Sequence, residues 1–397
     1  MALILTRSPY HISRAGLDDG AVMTLEIGEY DSGVFNILKS YTLNFRSKLF
    51  IDISPLIRDY LEAEYEYSAG LGRYLVAKGK KSIVYVRTTI NGTESGGPPE
   101  GGAIINEYFA TDGYLYGTDS FNEDKSTFLT ANSYYTGSSD TIYKLDGSNI
   151  RITLLKAQGE LISNPPVSSE IIYLDFYNGS ELKRTDTYTA NKDDSESYCI
   201  SAANLSVNSY RDRVLDSGGT LEDSECLDSF IEIFRLNEFT KIVIRTDTSR
   251  KTLKVNTISE CKYDPYRITF KNRFGADEDL WFFKKSAKSL KTMKEDFRSN
   301  EFKAYNAGEL TRQIQQYNKN GKESLVINSG FVVEELNESF KQLMLSEEVS
   351  LYDFNNNTFS AINITDSEIE FKTVTNDKLI NYTINVEFAN DVINNIV

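Results

Sequence analysis

DPYRITFKNRFGADEDLWFFKKSAKSLKTMKEDF, residues 264–297, holds the only tryptophan of the chain, Trp281, and its clearest long hairpin pattern. Ile268 and Phe270 alternate with Arg267, Thr269 and Lys271, the period-two signature of a half-buried strand. Asn272-Arg273-Phe274-Gly275 then turns the chain. Glycine tolerates positive φ, and asparagine bonds to nearby backbone. The return run Leu280-Trp281-Phe282-Phe283 is unbroken by polar residues. Such a strand is covered on both faces, or places one face in the core and one in an interface. That second option makes Trp281, Phe282 and Phe283 candidate interface residues. No catalytic group is needed to explain the stretch, so it reads as an architectural centre.

The aromatic run is followed by Lys284, Lys285, Lys288, Lys291 and Lys294, with no acid among them. The spacing predicts a helix on which Lys284, Lys288, Lys291 and Lys294 share one side. A solvated lysine face is the plain reading. The alternatives are an acidic neighbouring copy, for which Lys288, Lys291 and Lys294 are the candidate contacts, or DNA passing through a channel.

PYRITFKNRFGADEDLWFF (265–283), LFIDISPLIRDY (49–60) and KLINYTINVEFAN (378–390) together carry a family likeness. They resemble segments of tail structural proteins from crAss-like and related short-tailed phages of Bacteroidota. The resemblance implies a virion component of a tail ring, surrounded by copies of itself and by neighbouring tail proteins. It implies no active site.

Composition sets the outer bounds. A chain of 397 residues has room for two to three domains. Its 25 tyrosines and 22 phenylalanines, with frequent Thr, Ile and Val, favour strands. The formal net charge of −15 argues against open nucleic-acid binding, which needs clustered Lys and Arg. Residues 321–397 hold 13 acids and 4 bases, so the last stretch is the most acidic. Cys199, Cys226 and Cys261 are odd in number and lack CxxC spacing, which indicates neither a disulfide framework nor a zinc site. They read as reduced, half-buried core residues. The first residues lack a basic n-region, and no run approaches the ~20 apolar residues of a membrane span. The expectation is a protein made in the host cytoplasm with no membrane segment.

Along the chain the pattern is mainly β, in several domains. Residues 1–165 alternate as short strands, with Ser54-Pro55 as N-cap and first position of a short helix. This predicts an immunoglobulin-like β-sandwich with loop insertions at 91–102 and 111–147. The Tyr-rich loop 111–147 is either a partner-binding or a mobile surface loop. Asn164-Pro165-Pro166 reads as a linker. Residues 167–262 form a second β domain, with a hairpin turn at Asn178-Gly179-Ser180, strands at 230–234, 242–244 and 253–258, and an acid-rich loop at 216–228. Residues 263–397 make an α+β domain: the opening hairpin, an amphipathic helix over 332–345, and a closing strand. In that strand Ile380, Tyr382, Ile384, Val386 and Phe388 alternate with polar residues. Residues 391–397 read as an exposed tail.

Enzymatic chemistry is thinly represented. His11, in a turn-like setting, is the only histidine, which removes Ser-His-Asp and Cys-His arrangements unless it serves in them itself. HExxH, P-loop, GxGxxG and DxDxDG patterns are missing. Asp175, Glu232 and Asp279 lie beside aromatic strands as sugar hydrolases arrange their carboxylates, a coincidence expected among 58 acids. The expectation is therefore no catalytic, cofactor or metal site. The leading reading is a ring-forming tail protein. The alternatives are a β-sandwich adhesin recognising glycans or receptors through 111–147, and a glycan hydrolase.

Overall fold

The structure is a computed structural model that describes residues 2–13, 17, 20–31, 34–46, 48–61, 65–67, 75–77, 83–92, 103–146, 150–155, 171–189, 202–207, 239–259, 262–298, 314–356, 358–371 and 380–393. The chain is mainly β, with several sheets and few helices. It divides into two compact units, Met1–Ser259 with Lys271–Asp279, and Glu260–Phe270 with Leu280–Val397. The expected break at 165, the linker 164–166, the acid-rich loop 216–228, the strand at 230–234 and all three cysteines lie outside the described residues. So does most of the Gly-Pro loop, from residue 93 to 102.

The first unit contains two five-stranded sheets. One runs in the order Ala2–Leu5, Ile104–Thr111, Val84–Asn91, Val22–Asp31, Val34–Asn44, with only the first pair parallel. Alternation feeds two cores. Ile4, Met23, Leu25, Val84 and Val86 meet Ile57 of the helix Ser54–Arg58 on one face, while Leu3, Leu5, Tyr85 and Phe109 meet Leu129 and Phe274 on the other. That helix starts differently from expectation. Ile53, not Ser54, occupies the N-cap position, and Pro55 lies in the first turn. Asp52 Oδ1 accepts the N–H groups of Tyr10 and Ser54, and the Ser54 hydroxyl is spent on the Ser8 carbonyl.

The second sheet runs Thr141–Leu145, Arg250–Ile258, Lys241–Arg245, Ile171–Asn178, Glu181–Thr189. Its hairpin Ile171–Asn178/Glu181–Thr189 turns through Gly179 at φ +60°, as its Asn-Gly signal predicts. Leu174, Phe176, Ile242, Ile244 and Leu253 pack with Ile152 and Leu154 in its core.

Over their described length residues 111–147 are more than one loop. They include a short helix, Ser126–Ala131, and the strand Thr141–Leu145, and they bury Tyr114 and Tyr135. The turn segment Lys271–Asp279 packs among these residues. The Arg273 guanidinium lies 4.5 Å from the Tyr116 ring and 2.6 Å from Asp119, and the Ser138 N–H and hydroxyl donate to Glu278. Gly275, at φ +73°, sits so close that a Cβ would lie 2.9 Å from the Asp112 backbone.

The second unit is organised on a seven-stranded sheet. Its order is Asp277–Phe282, Tyr266–Lys271, Val349–Asp353, Thr358–Ile364, Ile380–Phe388, Ile314–Val332, Ala287–Arg298. The closing strand Ile380–Phe388 sits inside the sheet, and Ile380, Tyr382, Ile384 and Val386 are buried while the residues between them are exposed. The amphipathic segment is shorter than its 332–345 pattern. Val332 ends a strand, Glu334–Leu336 is a 3₁₀ turn, and the α-helix is Asn337–Met344. No helix among the described residues is long and apolar enough to cross a membrane.

Candidate assembly surface

Two features of the opening stretch depart from expectation. The strand Tyr266–Lys271 is not half-buried, because Arg267, Thr269 and Lys271 are as enclosed as Ile268 and Phe270. Arg267 lies 4.8 Å from the Tyr352 ring, 5.7 Å from Trp281 and 5.9 Å from Phe359, an aromatic cage that a weakly hydrated guanidinium can enter. Lys271 is held by Asp277 at 2.8 Å, and Arg151 reaches both Asp277 and Asp279.

The second departure concerns the candidate interface. Trp281, Phe282 and Phe283 are buried within the chain itself and offer no surface to a partner. Trp281 meets Phe354 edge-on, and Phe282 meets Phe340, which packs on Tyr382. Phe283 lies so close to Gly330 that a Cβ there would sit 2.5 Å from its ring. The run is a strand covered on both faces, the first of the two options its composition allows.

The lysines belong to a different object. Ala287–Arg298 is a strand, not a helix, paired antiparallel with Ile314–Val332 from Ala287↔Val326 to Arg298↔Ile314. The neighbour on the other side of the long strand, Ile380–Phe388, reaches it only from Ser324 onward. Residues 287–298 and 314–323 therefore form a two-stranded arm whose part from Leu290↔Glu323 outward runs past the sheet. At ~3.3 Å per residue, the part beyond Lys291 extends roughly 25 Å. Ala287–Arg298 is also the last strand of the sheet, so among the described residues its outer edge is unpaired. Every residue of it is exposed. The register slips between Met293↔Asn320 and Glu295↔Tyr317, leaving an extra residue on the long strand, where Asn318 takes φ 47°. Such bulges tighten the local twist.

Strand geometry redistributes the lysines. Side chains alternate, so Lys288 and Lys294 share one face with Leu290, whereas Lys291 lies on the other with Met293, Glu295 and Phe297. On the first face Lys288 pairs with Glu323 at 2.7 Å, and Lys294 pairs with Asp296 at 3.3 Å. Leu290 packs over Gly321. On the second face Lys291 stands directly opposite Lys322. Lys322 reaches Glu387 at 3.4 Å; no ion pair holds Lys291 among the described residues. Farther out, Phe297 and Tyr317 meet edge-to-face at 5.5 Å. Hydrogen bonding to Glu295 raises the pKa of the Tyr317 hydroxyl. Leu290, Met293, Phe297, Ile314 and Tyr317 are each 44–62% exposed. The root of the arm is braced by the chain's end. Val392 N–H donates to the Gly321 carbonyl, and Asn320 bonds Asp391 and Ile393. Residues 391–393 are exposed, but they are attached rather than a loose tail.

The other candidates have ordinary roles. Asp175 is buried between Arg245 at 2.7 Å and the Thr185 hydroxyl, Asp279 faces Arg151, and Glu232 lies outside the described residues. His11 sits in the strand His11–Ser13, with its ring near Phe50 and Phe121. Among the described residues no cluster of His, Cys, Asp and Glu could hold a metal ion. An open groove of about 390 Å³ lies beside the arm's root, between Phe359 and Phe388, with Glu323, Asn390 and Asp391 on its walls. No protein-family model matches the chain, and no curated protein matches it.

Proposed function

We propose that this chain is a structural component of a bacteriophage virion tail, assembling with copies of itself into a ring of the tail barrel. The observation that carries the reading is the arm. It presents five large exposed apolar or aromatic side chains and a twelve-residue edge that is unpaired among the described residues. Monomeric proteins shield or shorten such edges and keep such patches small. A ring offers the arm a neighbour at fixed stoichiometry, because heterologous contacts close when the rotation allows. The resemblance of residues 49–60, 265–283 and 378–390 to tail proteins of crAss-like phages supports the virion setting. In this reading the body consists of immunoglobulin-like sandwiches, the neighbours are other tail proteins, and DNA passes through the ring's channel. No catalysis is required.

The test is the mass of the purified full chain by analytical ultracentrifugation, together with its position in negative-stain images of labelled virions. A closed oligomer and a tail location are expected. A chain that stays monomeric at high concentration, also when mixed with its tail neighbours, would defeat the proposal. The alternative is a glycan- or receptor-binding adhesin of the tail. What favours it is the groove between Phe359 and Phe388, where rings and the carboxylates of Glu323 and Asp391 border one opening. Binding of the isolated chain to host cells, blocked by free glycan, would select that alternative.

A further inference from the structure

We infer that the Lys291 face of the arm docks on the acidic surface around the helix Asn337–Met344 of a second copy of this chain. The inference rests on the ring reading above and names the two surfaces that would make its contact.

Charge is the first argument. The arm, residues 287–298 and 314–323, carries six bases and three acids in a chain of net charge −15. It is one of the cationic stretches of an acidic molecule, as residues 241–254 with five bases and one acid also are, so a second copy presents it with mostly opposite charge. The Lys291 face is where that matters most. Lys291 and Lys322 are directly opposed across the ribbon, and like charges in that position repel. Glu387 offsets Lys322, and Lys291 gains no ion pair among the described residues. An incoming carboxylate would relieve the repulsion. The lysines of the other face already have Glu323 and Asp296.

Chemical matching of the acceptor is the second argument. Residues 331–348 hold five glutamates and one lysine. Glu334 and Glu335 are exposed at the start of the helical segment, and Glu347 and Glu348 just past its end. Beside them Phe331 and Leu345 are 57% and 44% exposed. The arm face has the complementary mixture: Lys291 and Lys322 beside Met293, Phe297 and Tyr317, with its one acid, Glu295, bonded to the Tyr317 hydroxyl. Donor and acceptor are different patches of one chain. Their contact is heterologous when each copy docks on a different neighbour, and then it can close a ring; reciprocal docking of two copies would stop at a two-fold dimer, which the measured mass distinguishes.

The experiment uses the full chain and two sets of charge reversals, Lys291→Glu with Lys322→Glu on the arm, and Glu334→Lys with Glu335→Lys on the acceptor. Mass and self-association are read by analytical ultracentrifugation, with circular dichroism and thermal melting as folding controls. Lys291 is exposed, whereas Lys322 is half-buried against Glu387, so Lys291→Glu alone is measured beside the double change and keeps its fold. Each set alone should weaken association at least tenfold, and the four changes combined in one chain should restore it. A Met293→Asp variant should weaken association as well, without touching the lysines. If the wild type assembles and the arm variants assemble equally well, this docking is wrong while the ring stands. If the wild type is a monomer, both fall. If the arm variant assembles normally but loses binding to a duplex DNA whose affinity falls steeply with salt, the arm contacts DNA and the docking is overturned.

Discussion

Two lysine-bearing hairpins of this chain, written with much the same residues, live opposite lives. The turn segment Lys271–Asp279 is enclosed, and each of its charges has a counter-charge or a hydrogen bond: Lys271 with Asp277, Arg273 with Asp119, Glu278 with Ser138. The arm is exposed along its whole first strand, and its charges answer one another only loosely. What differs is what the rest of the chain brings to each. Arg151 and Asp119 come from far away in sequence to meet the turn; among the described residues beyond Glu323, the arm meets little besides its own second strand and the bracing residues 391–393. The buried Lys271 reports a partner inside the fold. An exposed lysine on a free strand edge either guards that edge or awaits a partner from outside.

The comparison breaks most visibly at Asp277. Its side chain joins Lys271 and Arg151 in a setting where all three are almost fully enclosed. Asp277→Ala leaves two buried cations without that carboxylate, and removing one member of a buried ion cluster costs about 3–5 kcal/mol. Thermal or urea unfolding of the variant should show a loss of this size. A loss below about 1 kcal/mol, the range of surface pairs, would mean the turn is as wet as the arm.

Lys144 sharpens the same contrast from the other side. It is buried in the strand Thr141–Leu145, and its ammonium makes no hydrogen bond among the described residues. Burial lowers its pKa below the ordinary 10.5, with Asp146 only partly opposing. Lys144→Met should therefore stabilise the protein, by about 1–3 kcal/mol if the unsatisfied group carries its usual cost. The pH dependence has a definite sign. With the folded pKa below the unfolded one, the unfolded state binds more protons between the two values, so wild-type stability rises as pH climbs through that window. The advantage of the Met variant should be full below the folded pKa and shrink toward pH 10.5. Urea titrations of both proteins across that range measure it. An advantage that grows with pH would show that Lys144 is stabilised as a cation.

Much of the β architecture is legible in the sequence, and the reason is physical. The closing strand has one buried and one wet face, so Ile380, Tyr382, Ile384 and Val386 alternate cleanly with polar residues, and the strand appears over the expected residues. Gly179 marks its hairpin because a tight turn needs its φ. Arg267 and Lys271 mislead because they look like the wet face of a strand. They are buried by rings and a carboxylate whose proximity no local pattern reveals. The arm is the deepest miss. A ribbon exposed on both faces has no hydrophobic alternation, and the spacing of Lys284, Lys288, Lys291 and Lys294 imitates a helix. Its strand identity comes from pairing with Ile314–Val332, whose outer residues, Ile314-Gln315-Gln316-Tyr317-Asn318-Lys319, carry no strand pattern of their own.

The smallest expected effect lies on the arm itself, at the pair of Lys288 with Glu323. The two are 2.7 Å apart, but their side chains are 56% and 36% exposed. The Lys288 ammonium also sits 5.3 Å from the Phe388 ring, so part of its hold is aromatic rather than ionic. Water screens both charges, and ordering two long side chains costs entropy, so exposed pairs of this kind contribute about 0–1 kcal/mol. A double-mutant cycle with Lys288→Ala, Glu323→Ala and both together isolates the coupling from the packing of the lysine stem on the sheet. The coupling should be under about 1 kcal/mol and should fade as salt is raised, because the Debye length falls to about 3 Å at 1 M. The cycle belongs at protein concentrations below those at which copies associate. There the arm is solvated, and its ion pair behaves as a surface pair. A coupling of several kcal/mol that persists at 1 M salt would place Lys288 and Glu323 in an environment as enclosed as that of Lys271 and Asp277, and the contrast between the two hairpins would disappear.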